Sequence, residues 1–211
     1  MFRILIFANG ELPNLEAARL LLQKDDFIIC ADGGTRHALA LGLTPNIIIG
    51  DMDSVAADFR PSTQTQVLQF SPDKNETDLE LAIAHALTLS PHKIVIVAAL
   101  GGRLDQTLGN ISLLASHPAS LMALDDGVEE VFFCNEQVQI KGRSGDLVSL
   151  IPWGGDVTGV VTENLKWPLV DEFLFSNKTR GISNEMSDEE ASVKIASGSL
   201  LVVHRRSDLN S

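Results

Sequence analysis

The first 125 residues alternate between two kinds of segment, and this alternation constrains the fold more than any other feature of the sequence. Apolar runs rich in β-branched residues end at glycine, asparagine or aspartate, and each precedes a segment with apolar residues at helical spacing or a capped helix start. The apolar runs are FRILIFANG, DFIICADGG, NIIIGDMDS and HKIVIVAALGG, and the helical segments are NLEAARLLLQ, TRHALALG, TDLELAIAHALTL and LDQTLGNISLLAS. This pattern predicts a mostly parallel sheet with helices on both faces.

The pattern changes after about residue 125. Short β-type runs separated by Gly, Asn and Asp now follow one another: VEEVFFCNE, QVQIKGR, DLVSLIPWG, DVTGVVTE and SGSLLVVHRR. Such runs are typical of an antiparallel sandwich or barrel. We therefore predict an N-terminal α/β domain over residues 1–125 and a C-terminal antiparallel β-sandwich over residues 126–211.

The charge of the chain excludes some classes of partner. With 211 residues and a net charge of −12, it lacks the excess of Lys and Arg that proteins use to bind nucleic acid or an anionic membrane. No apolar run approaches the roughly 18 residues of a membrane span. Cys30 and Cys134 form no C-x-x-C motif, and no signal-peptide start precedes them, so we expect reduced thiols in a cytoplasmic protein.

Five carboxylates occupy equivalent places in the α/β pattern. Asp32, Asp51, Asp53 and Asp105 follow apolar runs, and Asp78 begins a helix in which Thr77 and Glu80 form a predicted capping box. Because the carboxyl ends of parallel strands meet at one edge of a sheet, we expect these acids to converge there. Converging carboxylates repel one another unless a cation neutralises them, and oxygen ligands suit Mg²⁺ together with substrate phosphates. The pattern predicts a site for a metal-bound polyphosphate.

Two glycine pairs lie near these acids. Gly33-Gly34 follows Asp32, and Gly101-Gly102 precedes Arg103, so bare backbone and a guanidinium are available to phosphates. Each pair by itself is more typical of a turn than of a phosphate site, and the nearby acids reverse that balance. Neither a G-x-x-x-x-G-K-[ST] loop nor a G-x-G-x-x-G motif is present, so a P-loop or a dinucleotide-binding Rossmann site is not supported.

Taken together, several blocks resemble the thiamine pyrophosphokinase family, which transfers the terminal pyrophosphate of ATP to the hydroxyl of thiamine and leaves AMP. The blocks, in the order of the family, are ADGGTRHALALGLTPNIIIGDMDSV, DKNETDLELAI, GGRLDQTLGNISLL, NLKWPL and GISNE. The resemblance implies an α/β nucleotide domain followed by a β-sandwich that binds thiamine. It also implies a homodimer with the thiamine site at its interface.

The resemblance assigns roles to individual residues. It implies Asp51, Asp53 and Asp78 as Mg²⁺ ligands and catalytic acids, with Asp105 as a further catalytic carboxylate. The residues that it implies for nucleotide binding are Asp32, Gly33, Gly34, Lys74, Thr77 and Arg103. Either Asp105 or Asp78 is a candidate to accept the hydroxyl proton.

The thiamine pocket is expected in the second domain. Thiamine is a cation with two flat rings, so an aromatic face suits it, and Trp167 resembles the stacking residue of the family. Ser183 and Asn184 resemble its polar pair. Trp153 matches no motif, and we expect it in the core.

One position departs from the family. The third block usually contains G-G-R-x-D-H, and here Gln106 replaces the histidine. Glutamine exchanges hydrogen bonds but does not titrate, so a slower rate or a shifted pH optimum is expected if the family's histidine contacts phosphate. Because the five aspartates remain, we expect an active enzyme.

Two other functions remain open from the sequence. Asp51-Met-Asp53-Ser54-Val55 fits the D-x-D-x-[TV] signature of haloacid-dehalogenase-like phosphatases, in which the first aspartate is the nucleophile. That signature normally follows the first strand, and it leaves the later blocks unexplained. A non-catalytic regulator that binds thiamine or a nucleotide is the other alternative.

Overall fold

The computed structural model of the chain describes residues 2–54, 60–118 and 120–207. These residues divide into two compact units. The first unit is formed by Met1–Ser116 with Ser120–Gly127, and the second by His117–Ala119 with Val128–Ser211. Within the described residues, no helix has the length and apolar character required to cross a bilayer.

The first unit contains a parallel sheet with helices. Its elements are β1 (Arg3–Phe7), α1 (Leu15–Arg19), β2 (Phe27–Ala31), a short 3-10 helix (Asp32–Gly34), α2 (Thr35–Ala40), β3 (Ile47–Gly50), β4 (Gln66–Gln69), α3 (Asp78–Thr88), β5 (Lys93–Val97), α4 (Leu104–Ala115) and β6 (Met122–Asp125). The strand order is β6-β5-β1-β2-β3-β4, and every neighbouring pair is parallel. The predicted parallel α/β sheet is confirmed.

Burial explains why the apolar runs become strands. Ile4 to Phe7 in β1 and Ile94 to Val97 in β5 are buried, as are all four residues of β3. A strand buried on both faces needs apolar residues at every position, which is the pattern of the sequence. Helix α3 instead buries one face, formed by Leu79, Ala82, Ile83 and Ala86.

The second unit is antiparallel. Its strands are β7 (Glu129–Cys134), β8 (Gln137–Lys141), β9 (Leu147–Pro152), β10 (Val157–Glu163), β11 (Glu172–Leu174), β12 (Asn184–Glu185), β13 (Glu190–Lys194) and β14 (Leu200–Arg205). They are ordered β12-β9-β14-β7 in one group and β11-β10-β13-β8 in the other. All pairs within these groups are antiparallel, which confirms the predicted C-terminal fold.

The two cysteines belong to the two cores. Cys30 in β2 and Cys134 in β7 are buried free thiols. Burial raises the pKa of Cys30 to about 12 and that of Cys134 to about 11, so both thiols stay protonated and fill space. Trp153 is half-buried and contacts Phe133 edge-on, with ring centroids 5.8 Å apart.

Several elements were not predicted from the sequence. Strands β4 and β6 extend the parallel sheet at its two ends, and β11, β12 and β13 complete the second unit. Strand β4 is QVLQ with mostly exposed side chains, so it lacks the apolar run that marks the other parallel strands. Helix α1 ends at Arg19, well before the end of its predicted segment.

Candidate active site

The carboxyl edge of the parallel sheet carries a compact group of acids. Asp32 follows β2, Asp51 follows β3, and Asp78 is the first residue of α3. One carboxylate oxygen from each of the three lies within 4.8 Å of the others. We call Asp32, Asp51 and Asp78 the three-carboxylate group.

Glycine allows this close approach. A Cβ added to Gly50 would lie 2.8 Å from Asp32 Cβ and 3.3 Å from Asp78 Cγ. Any side chain at the end of β3 would therefore displace two of the three acids. This explains the sequence IIIGD, in which an apolar strand ends in glycine immediately before the first acid.

Asp32 is the most enclosed member of the group. Its exposed fraction is 3%, and its Oδ1 atom is buried with no hydrogen-bond partner within the part of the chain that the structure describes. Burial raises the pKa of Asp32, and the charges of Asp78 and Asp51 raise it further, against hydrogen bonds from Ser54 and the Gly33 amide that lower it. A cation coordinated by this oxygen would stabilise the group by offsetting the repulsion among its three carboxylates.

Lys74 supplies one positive charge. Its Nζ atom lies 3.0 Å from Asp78 Oδ1 and 3.8 Å from Asp51 Oδ2. The contact with Asp78 raises the pKa of Lys74, and the charges of Asp51 and Asp32 add to that effect. One lysine does not balance three carboxylates, and carboxylate oxygens are the ligands that Mg²⁺ prefers. The residues present therefore fit a divalent cation.

Asp53 and Asp105 lie outside the three-carboxylate group. Met52 has a φ of 71°, and the Asp53 side chain that follows is exposed and accepts a hydrogen bond from Ser54 Oγ at 2.8 Å. Asp105 is in the first turn of α4, which follows β5, and two strands separate β5 from β3 in the sheet. Of the five acids expected to converge, the structure brings three together.

Asp105 instead pairs with Arg103. Arg103 Nε donates to Asp105 Oδ1 at 3.1 Å and Nη2 donates to Oδ2 at 2.6 Å, a two-point contact. Hydrogen bonding from Arg103, with a further bond from the Gln106 amide, lowers the pKa of Asp105. The carboxylate is charged at neutral pH and holds the guanidinium at the start of α4.

A cavity of about 550 Å³ lies along this edge of the sheet. Six of the residues singled out in the sequence line it, and so does Gln106; the six are Lys74, Thr77, Asp78, Gly101, Gly102 and Arg103. Thr77 also caps α3, because its Oγ1 accepts from the Glu80 amide at 3.2 Å, which is the predicted N-cap. The volume and the mixture of charged and backbone groups suit a nucleotide.

The glycines after Asp32 have a structural role. A Cβ on Gly33 would clash with the Asn9 side chain, and one on Gly34 would clash with the Phe7 carbonyl. The turn therefore packs directly against the end of β1. Their predicted contact with a nucleotide stays a prediction.

Sequence reasoning missed one wall of the cavity. The additional lining residues include Asn9, Gly10, Glu11, Arg36 and Asn110. Asn9-Gly10 ends β1 at the same edge as the acids, so its position was a usable signal. Arg36 and Asn110 are on helices inside two of the family blocks, but neither was assigned a role from the sequence.

The three predicted thiamine-binding residues lie together in the second unit. Trp167 is 51% exposed, and its backbone amide donates to Asn184 Oδ1 at 3.1 Å. Asn184 Nδ2 donates in return to the Trp167 carbonyl at 2.7 Å. Ser183 precedes Asn184 and donates its amide to Ser149 Oγ at 3.0 Å. The site thus presents an exposed indole on a fixed backbone.

Comparison with known families covers both units. Residues 18–124 match the family described as "Thiamin pyrophosphokinase, catalytic domain". Residues 135–200 match the family described as "Thiamin pyrophosphokinase, vitamin B1 binding domain". The chain belongs to the thiamin pyrophosphokinase family. Members of this family are transferases, so the chain is an enzyme, and the resemblance drawn from its sequence is confirmed.

Relatives match over most of their length. Thiamine pyrophosphokinase of Bacillus subtilis (strain 168) is 29% identical over 182 residues, which cover 83% of this chain and 85% of the relative. Thiamine pyrophosphokinase 1 of Arabidopsis thaliana is 29% identical over 220 residues, covering 90% of this chain and 81% of the relative. The crystal structure of the Bacillus subtilis enzyme superimposes with a TM-score of 0.87 at 26% identity, covering 98% of this chain and 100% of the other.

In this thiamin pyrophosphokinase family member, the two matched regions contain different sets of site residues. The catalytic match contains the three-carboxylate group, Lys74 and the Arg103–Asp105 pair. The vitamin-binding match contains Trp167, Ser183 and Asn184. Asn9 and Gly10, which line the cavity, precede the catalytic match.

Proposed function

We propose that the chain transfers pyrophosphate from ATP to the hydroxyl of thiamine, giving thiamine diphosphate and AMP, and that it requires Mg²⁺. One observation carries the proposal: Asp78 of the three-carboxylate group lines the cavity together with Lys74 and Arg103. The same group contains Asp32, whose buried Oδ1 has no hydrogen-bond partner among the described residues. Acids and bases at one cavity suit a metal-bound polyphosphate. Membership of the family supplies thiamine as the acceptor.

Asp32, Asp51 and Asp78 would hold the metal ion. An Mg²⁺ ion held by these residues would supply positive charge to the phosphate oxygens. Asp53, two residues after Asp51, stays a predicted ligand. Lys74, already oriented by Asp78 and Asp51, is placed to donate to a phosphate oxygen as well.

The reaction balances without a redox partner. The thiamine hydroxyl oxygen attacks the β-phosphorus, the bond from that phosphorus to the oxygen of the α-phosphate breaks, and AMP leaves while the hydroxyl loses its proton. Positioning and charge compensation supply most of the catalysis in such transfers. Arg103, held by Asp105, contributes positive charge at the cavity, and Asp105 and Asp78 are the two candidates for the proton acceptor.

We assign thiamine to the exposed Trp167 indole of the second unit. A thiazolium cation is attracted to the face of an indole ring. Apolar side chains on neighbouring segments are also exposed: Val170, Phe173 and Phe175 have exposed fractions of 76%, 44% and 50%. This surface supports a homodimer with the thiamine site at its interface. Sedimentation equilibrium of the wild type and of Phe173→Ser tests it, because the substitution weakens a dimer that buries this residue.

The free thiols Cys30 and Cys134 fit a reducing compartment, so we also propose a cytoplasmic location. Both thiols are buried, and neither is placed to form a disulfide within its own core.

Product analysis tests the proposed reaction. Purified protein is incubated with Mg²⁺, ATP and thiamine, and AMP, ADP and thiamine diphosphate are separated. We expect AMP and thiamine diphosphate in equal amounts, and neither without thiamine. Asp51→Asn should abolish both products, and Arg205→Met, at an exposed residue of the second unit, serves as the control.

Other products would contradict the proposal. ADP would indicate transfer of a single phosphoryl group. Free phosphate without thiamine would indicate the phosphatase alternative, whose signature includes Val55, outside the described residues. Thiamine binding without turnover would indicate the regulator.

A further inference from the structure

Three basic side chains line the cavity of the first unit, and they differ in what holds them. Lys74 lies between the carboxylates of Asp51 and Asp78, and Arg103 pairs with Asp105. Their charges are thus largely compensated within the protein. Arg36, on α2, is the third, and its environment is different.

Among the described residues, the hydrogen-bond acceptors of Arg36 are neutral oxygens. Its Nη1 donates to Asn9 Oδ1, and its Nη2 donates to the Asn9 carbonyl at 3.3 Å and the Gly10 carbonyl at 2.8 Å. No ion pair joins Arg36 to a carboxylate among residues 2–54, 60–118 and 120–207. Of the five N–H groups of a guanidinium, two are left by these three bonds.

The cavity wall near Arg36 is held in place. The Gly10 carbonyl lies 2.9 Å from His37 Nε2, and the Gly10 amide donates to the Ala98 carbonyl at 3.0 Å. Burial lowers the pKa of His37, the hydrogen bond with the Gly10 carbonyl partly opposes this, and the charge of Arg36 lowers the pKa again, so His37 is neutral at pH 7. Arg36 therefore supplies the positive charge on this wall, which also carries the Glu11 carboxylate.

We propose that Arg36 is a phosphate-binding residue of the nucleotide site, on the wall formed by Asn9 and Gly10. The inference rests on the proposed function, because it takes the polyphosphate of ATP as the cavity's ligand. An anion with several negative charges gains most from a cation that no protein carboxylate neutralises. The bonds to Asn9 and Gly10 fix the guanidinium in advance, so little side-chain entropy is lost when a phosphate binds.

Binding measurements separate this role from a purely structural one. Titration calorimetry would follow Mg²⁺-ATP and Mg²⁺-tripolyphosphate, a polyphosphate without a nucleoside, in the wild type, Arg36→Lys, Arg36→Gln and the control Arg205→Met. The lysine variant keeps the charge and loses the planar guanidinium with its paired N–H donors. The glutamine variant keeps N–H donors and loses the charge. We expect Arg36→Gln to weaken both probes about 10- to 100-fold, Arg36→Lys to weaken them less, and the control to match the wild type.

Two results would overturn the assignment while the proposed function stands. One is wild-type affinity for both probes in Arg36→Gln. The other is tighter binding by Arg36→Gln than by Arg36→Lys, which would show that Arg36 acts by holding Asn9 and Gly10. Wild-type protein that binds neither probe would overturn both proposals, and Arg36-dependent binding without thiamine diphosphate formation would overturn the reaction alone.

Discussion

Trp167 and Asn184 exchange two hydrogen bonds, from the Trp167 amide to Asn184 Oδ1 and from Asn184 Nδ2 to the Trp167 carbonyl. Asn184 Oδ1 also accepts from the Glu185 amide at 2.9 Å, and the residue is only 8% exposed. Three of the four hydrogen bonds that an Asn side chain makes are therefore used inside the protein. This residue supports the indole more than it offers groups to a ligand.

Asn184→Ala should therefore weaken thiamine binding through Trp167. Loss of the two bonds lets the Trp167 backbone move, and we expect the thiamine dissociation constant to rise about tenfold with ATP binding unchanged. Tryptophan fluorescence in a Trp153→Phe background reports Trp167 directly. Its emission should shift in Asn184→Ala before any thiamine is added.

The order of these effects distinguishes positioning from contact. If Asn184 bound thiamine directly and did not hold Trp167, emission without thiamine would be the same in both proteins. Trp167→Phe should raise the thiamine dissociation constant and leave ATP binding unchanged. Equal losses for both ligands would show that Trp167 is structural.

Gly50→Ala should disrupt the three-carboxylate group. The new Cβ would lie 2.8 Å from Asp32 Cβ, so Asp32 or the end of β3 must shift. Because misplacement of catalytic groups by about 1 Å can cost about 100-fold in rate, we expect a loss of that order in kcat. The rate should be measured at saturating Mg²⁺ and ATP.

Gly109→Ala is the matched control for that substitution. Gly109 is in α4, and an added Cβ there meets no atom within 4 Å. Alanine in a helix is more stable than glycine by about 0.5–1 kcal/mol, so this variant should melt at a slightly higher temperature with unchanged kcat. Equal activity in the two variants would contradict the role given to Gly50.

Much of the fold was predictable because burial leaves a pattern in the sequence. The strands β1, β2, β3 and β5 are apolar at successive positions, and Thr77 marks the start of α3. Strand β4 was missed because its pairing with β3 is made by the backbone, and its side chains are mostly exposed. Strand β12 has only two residues and no pattern at all.

The site was predictable in its residue types more than in its arrangement. The rule that the carboxyl ends of parallel strands meet at one edge correctly predicted that Asp32, Asp51 and Asp78 lie close together. The same rule does not say how far apart two residues lie along that edge. It therefore also predicted that Asp53 and Asp105 belong to the group. Arg36 was missed, although the first family block contains it, because its hydrogen bonds to Asn9 and Gly10 join parts of the chain that are far apart in sequence.

Asp32→Asn should stabilise the metal-free protein and abolish its activity. Burial raises the folded-state pKa of Asp32, so its carboxylate is disfavoured in the folded state. An acid with a raised folded pKa destabilises the fold above its unfolded pKa, and this effect is complete once the pH exceeds the folded pKa. In EDTA at pH 7.5, we expect the variant to melt at a higher temperature, by about 2–4 °C for each kcal/mol added to the free energy of unfolding.

Metal addition completes that experiment. Mg²⁺ binds the folded state of the wild type, so it should raise the wild-type melting temperature and leave that of Asp32→Asn unchanged. A variant that melts below the wild type in EDTA would show that the Asp32 carboxylate stabilises the fold. A variant that still responds to Mg²⁺ would remove Asp32 from the ligands.

Gln106→His should change how activity depends on pH. Gln106 lines the cavity in the first turn of α4, next to the Arg103–Asp105 pair, and glutamine does not titrate. A histidine there has an ordinary pKa of about 6.5, and its protonated form would add positive charge beside the phosphates. At pH values below about 6.5, we expect the KM of the variant for ATP to decrease, and its kcat/KM profile to show a new inflection that the wild type lacks.

Gln106→Met, which also cannot titrate, should give a pH profile of the same shape as the wild type. Superimposable profiles for Gln106→His and the wild type would show that residue 106 does not face the phosphates, and the replacement of the usual histidine would then have no catalytic consequence.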